Sequence, residues 1–89
     1  MRVFRIRLGR DDHGPASEDE ATLVHDLLWA HAVPSDGLEH VRARGVEDGM
    51  VLFFFVRAED DLSGARQACA LLTRARRPLA ARGLTVPAV

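Results

Sequence analysis

Apolar and polar residues alternate from Arg2 to Leu8: Phe4, Ile6 and Leu8 fall on one side, and Val3, Arg5 and Arg7 on the other. Period two is the mark of a strand with one buried face. "GRDDHGP", residues 9–15, is turn chemistry and leads into Ser17-Glu18-Asp19-Glu20. Serine followed three residues later by glutamate predicts a capping box, and three acids in a first turn suit the positive end of a helix dipole. The period then becomes helical: Val24, Leu27, Leu28 and His31 make one stripe, with Leu23 and Ala30 beside it, up to a stop before Pro34.

After a turn at "PSDG", alternation returns in "LEHVRARGV", where Val41 and Ala43 point one way and His40, Arg42 and Arg44 the other. Glu47-Asp48-Gly49 predicts a hairpin loop. The returning strand, "MVLFFFVR", runs apolar for seven residues and stops at Arg57, so both its faces are apolar. Glu59, Asp60 and Asp61 supply the acidic start of a second helix, with Leu62, Ala65, Ala68, Cys69, Leu72 and Ala75 as its stripe. Arg74, Arg76 and Arg77 fall near its end, where positive charge is favourable. Pro78 should end or kink it, "LAAR" could add a turn, Gly83 is a stop, and "LTV" makes a short last strand before Pro87.

The order β-α-β-β-α-β over essentially the whole chain resembles the ferredoxin-like fold. The resemblance is architectural and implies an α+β domain, residues 1–89, with a four-stranded antiparallel sheet, the first and third strands central, and both helices on one face. The expected core is Phe4, Ile6, Leu8, Val24, Leu27, Leu28, Val41, Leu52, Phe54, Val56, Ala68 and Leu72.

Strand parity then assigns the doubled apolar character of the third strand. Closing the hairpin at Val46 and Gly49, or at Glu47 and Met50, puts Val41, Ala43, Leu52, Phe54 and Val56 towards the helices. Val3, Arg5, Arg7, His40, Arg42, Arg44, Val51, Phe53 and Phe55 are left on the open face, where arginines and a histidine ring a few apolar side chains. Burying each phenylalanine is worth roughly 1.5–3 kcal/mol, which predicts a partner surface there. A second copy of the chain or a larger protein would suit arginine and phenylalanine. Single-stranded RNA, with bases on the aromatics and phosphates on the arginines, is the alternative. RNA-recognition motifs share the topology, but their third-strand motif has two glycines that "MVLFFFVR" lacks, and here the first-strand aromatic, Phe4, belongs to the helix side.

Composition narrows the choice. The chain has 89 residues, a net charge of −1, and twelve basic residues that are all arginine. Near-neutral charge argues against bulk electrostatic binding of duplex DNA, although the C-terminal third is basic and the rest acidic. A single cysteine, Cys69, predicts a buried thiol in a reducing compartment. No apolar run approaches the roughly 20 residues that span a bilayer, and the alternating N-terminus is unlike a signal peptide, so a cytoplasmic protein without a membrane partner is expected.

Side chains with reactive chemistry do not converge in this reading. His13, His25, His31 and His40 fall on a loop, two sides of a helix and the open face, and no H-x-x-x-H or C-x-x-C pair offers metal-ligand spacing. Asp11, Asp12 and His13 read as solvated turn residues, and Cys69 lacks a base or helix N-terminus. Acylphosphatases have similar length and topology, but "GRDDHGP" does not match their phosphate loop, and metal-transfer domains need a Cys-x-x-Cys. Dimeric α/β-barrel monooxygenases supply an enzyme alternative that requires a cavity between sheet and helices. The expectation is therefore a non-enzymatic accessory or regulatory domain with no catalytic residue, metal or cofactor, working through its open sheet face.

Overall fold

The structure, a computed structural model, describes residues 1–12 and 14–87. His13, one of the loop candidates, lies outside them. Strand β1 (Arg2–Arg10) is followed by helix α1 (Glu18–His31), a 3-10 turn (Pro34–Asp36), β2 (Leu38–Val46), β3 (Gly49–Val56), helix α2 (Asp61–Ala80) and β4 (Leu84–Thr85). Among the described residues the strands form one antiparallel sheet in the order β2-β3-β1-β4, the β-α-β-β-α-β arrangement expected. Helix α1 packs beside β2, and α2 packs over β1 and β3.

Each hairpin pairing follows from parity. The β2–β3 loop closes at Val46 and Gly49, the first of the two expected registers. Phe4, Ile6 and Leu8 lie opposite Phe54, Leu52 and Met50, with Val41 and Ala43 completing the helix-facing side. Leu8, Val24, Leu28, Val41, Leu52, Phe54, Val56, Ala68 and Leu72 are buried as expected, whereas Phe4, Ile6 and Leu27 are half-buried at the core's margin. Met50, Leu71, Leu79 and Leu84 join the core, and the space between sheet and helices is occupied by Leu8, Leu28, Leu52, Phe54, Leu71 and Leu79.

Helix α2 is turned relative to the expected stripe. Gly64, Ala68, Leu71, Leu72, Ala75 and Leu79 are buried, and Leu62 is 62% exposed. The reason lies at Gly64: a Cβ there would come within 2.8 Å of the Phe4 ring, so the face without a side chain is the one that accepts the aromatic. Pro78 does not end the helix, which runs on to Ala80. So near the C-terminus its missing N–H forfeits one hydrogen bond, and Ala81 still donates to the Arg77 carbonyl at 3.0 Å. Gly83, in the left-handed region at φ 76°, then reverses the chain into β4.

The capping box of α1 is half formed. The Ser17 hydroxyl accepts from the Glu20 N–H at 3.1 Å. The Glu20 carboxylate does not complete the box; it accepts two bonds from Arg10 of β1, at 2.9 and 2.7 Å. A side-on guanidinium pair outweighs one neutral backbone donor. The same bond with Glu20, aided by Asp12, holds the Arg10 guanidinium above its ordinary pKa.

Candidate functional site

Three rows of side chains cross the uncovered face of the sheet, each centred on β3. Val3, Phe55 and His40 form one row, Arg5, Phe53 and Arg42 the next, and Arg7, Val51 and Arg44 the third. All nine residues expected on the open face are thereby brought together. With neighbouring strands about 4.8 Å apart, the result is an apolar ridge one strand wide, flanked by two lines of guanidinium groups. The ring of His40 packs on that of Phe55 with centroids 5.3 Å apart and planes tilted by 49°.

Burial along the ridge is graded. Phe53 and Phe55 are half-buried, Val3 is 53% exposed, and Val51 is 4% exposed. Val51 thus departs from the expectation of an exposed contact residue, because the long side chains of Arg7 and Arg44 stand on either side of it and their methylene stems shield a short neighbour. The accessible apolar surface therefore lies towards Phe53, Phe55 and Val3, and the charge is concentrated towards the hairpin.

The guanidiniums are poorly neutralised. Arg7 reaches Asp48 at 3.6 Å, while among the described residues Arg5, Arg42 and Arg44 form no ion pair. Elsewhere in the fold Arg2 pairs with Asp61, Arg10 with Glu20, Arg57 with Glu39 and Arg74 with Asp36, while Arg66, Arg76, Arg77 and Arg82 form no ion pair among the described residues either. What sets this face apart is therefore the placement of its cations, with Arg5, Arg7, Arg42 and Arg44 lined up on both sides of the apolar ridge.

The other candidates are separated. His31 is half-buried at the end of α1, its Nδ1 bonded to the Leu27 carbonyl at 2.9 Å. His25 sits beside Asp26, with 3.1 Å between Nδ1 and Oδ1, and it lines an open groove between α1 and β2 that His40 also lines. Among the described residues no three metal-ligating side chains cluster. Asp12 accepts from Arg10, and Asp11 is held through its backbone by a 2.9 Å bond to the Gly83 carbonyl. Cys69 is half-buried on α2. Among the described residues no helix is long and apolar enough to cross a membrane.

Asp36 is a feature that sequence reasoning passed over as a turn residue. It is 3% exposed, accepts from the Val33 N–H at 2.8 Å and pairs with Arg74 of α2. Arg74 Nε also donates to the His31 carbonyl at 3.2 Å, and Gln67 donates to the carbonyls of Asp36 and Arg57 at 2.7 and 2.9 Å. Every acceptor closes the α1–β2 connection or the end of β3 onto α2, so the cluster is a clasp in the fold. Only the proline and glycine around it mark the place in sequence.

Compared with models of protein families, with characterised proteins and with solved structures, the chain matches none. Function must therefore be read from the side chains.

Proposed function

We propose that this protein is a non-enzymatic accessory or regulatory domain of the cytoplasm that docks a partner protein on the open face of its ferredoxin-like sheet. The observation that carries the reading is the ridge of Phe53 and Phe55 between rows of arginines, three of which form no ion pair among the described residues. Apolar side chains give such a surface a reason to leave water, and the guanidiniums require a partner that brings carboxylates.

A second copy is a poorer occupant. A stacked second sheet would bring the same arginines against Arg5, Arg7, Arg42 and Arg44, like charges meeting across the interface. The phenylalanine surface left to bury against it is limited, since those rings are already half-covered. Single-stranded RNA is disfavoured by Phe4, which lies on the helix side against Gly64 and is not available for stacking. The enzyme alternative needs a chamber where the side chains of Leu28, Leu52 and Phe54 now pack.

A photo-crosslinking phenylalanine analogue at Phe53, with the same analogue at the exposed Leu62 of α2 as control, tests the reading in cells of the native host. A protein adduct of defined mass from position 53 and none from 62 is expected. A dimer of the chain itself would replace the partner with a second copy, a nucleic-acid adduct would favour RNA, and equal labelling from both positions would reject the open face.

A further inference from the structure

Resting on the reading of the open face as a docking surface, we infer that its occupant is a single acidic amphipathic helix, with a narrow apolar stripe bordered on both sides by carboxylates. Three features select this shape.

The first is width. Only β3 contributes apolar side chains to the middle of the face, and on both flanks the next positions are cationic at Arg5 and Arg42 and again at Arg7 and Arg44. A second sheet would set its outer strands on those guanidiniums. A helix with a narrow stripe brings apolar groups to Phe53 and Phe55 and leaves its borders over the charges.

The second is the backbone. An extended segment laid across a sheet face, away from its edges, finds no main-chain partners for its own N–H and C=O groups, whereas a helix satisfies them internally. The third is spacing. Arginines two positions apart on a strand are separated by about 6.7 Å, close to the roughly 6 Å rise between residues four apart in a helix. Carboxylates at such positions on each border would meet Arg5 and Arg7 on one side and Arg42 and Arg44 on the other.

The ridge from Val51 to Phe55 is about 13 Å long, so two to three helical turns fill it. Its two ends differ. Val3 extends the apolar surface beside Phe55, and Val51 is covered between Arg7 and Arg44. The helix should therefore carry its largest apolar residues at the Val3 end and its acids towards the β2–β3 hairpin.

Titration of the full chain, labelled for NMR, tests this with four probes: a synthetic helix with one leucine stripe bordered by glutamates, the same peptide with lysines for glutamates, a scrambled peptide of the first composition, and poly(U). The glutamate helix should bind, perturb Arg5, Arg42, Phe53 and Phe55, and weaken with added salt. Arg42→Glu with Arg44→Glu should weaken it by about tenfold or more, and Arg5→Gln with Arg42→Gln is a milder pair should the first fail to fold. Equal binding of the scrambled or lysine peptide, tighter binding of poly(U), or no binding of the glutamate helix overturns the inference. A protein adduct from position 53 in cells without affinity for that helix removes the helix and keeps the docking face; absence of both removes the docking face as well.

Discussion

Asp36 and Arg74 form an ion pair that joins the connection after α1 to the middle of α2, across 38 positions of sequence. The carboxylate is 3% exposed and its partner's side chain 37%. Removing the carboxylate in Asp36→Ala strands the Val33 N–H and the guanidinium together. A fully buried pair broken this way costs about 3–5 kcal/mol, and the partial exposure of Arg74 lowers the expected loss to roughly 2–3 kcal/mol. Urea denaturation of the variant measures it; a change within half a kcal/mol would show that the pair is dispensable.

The two sides of β3 should respond oppositely to truncation. Phe54→Ala removes a fully buried ring, and the expected cost is about 3–5 kcal/mol. Phe53→Ser with Phe55→Ser removes half-buried rings from the uncovered face, so the fold should survive with a small loss in thermal midpoint while partner binding disappears. Circular dichroism on heating, paired with the crosslinking assay, separates the two outcomes. Comparable unfolding by both changes would contradict the assignment of faces.

Gly45 marks where the loop before α1 crosses the β2–β3 hairpin. A Cβ on it would lie 2.1 Å from the Ala16 carbonyl oxygen, a backbone atom that cannot swing aside, and the Ala16 N–H is itself tied to the Gly49 carbonyl at 3.1 Å. Gly45→Ala is expected to destabilise by about 1–3 kcal/mol, the range for forced overpacking. Chemical denaturation checks this, and unchanged stability would mean that the loop moves freely.

Acid should weaken the start of α2. Asp60 caps the helix by accepting the Ser63 N–H at 2.8 Å, and that bond holds its carboxyl below the ordinary value of 3.8. With the folded value below the unfolded one, the stabilisation is complete above about 3.8 and disappears as pH falls through the lower folded value. Asp60→Asn keeps an acceptor but loses the titration. Thermal midpoints of the two proteins should differ near neutral pH and converge in strong acid; parallel curves would exclude Asp60 as a contributor.

Period and parity made the strands legible. Phe4, Ile6 and Leu8 against Arg5 and Arg7, and a hairpin with an Asp-Gly loop, specify which side of each strand meets the helices before any contact is known. Helix α2 was less legible because alanines and leucines occur on several of its sides, and its rotation depends on Phe4 finding Gly64, 60 positions away. Asp36 was illegible for the same kind of reason, since its partner lies in another element. Glu20 has the spacing of a cap, but Arg10 competes for it through space. The shielding of Val51 follows from how far arginine stems reach, which alternation alone does not encode.

The central position of β3 bears on the kinetics of recognition. Hydrogen-bonded to β1 on one side and β2 on the other, its amides should be among the slowest in the sheet to exchange with deuterium, while the outer edge of β1, matched by β4 only at Gly9 and Arg10, should exchange early. Phe53 and Phe55 therefore project from the strand that is paired along its length on both sides. For the partner proposed above, such a platform would need no ordering on association, so the entropic cost would fall on the incoming segment, and variants that prefold that segment should bind more tightly without any new contact.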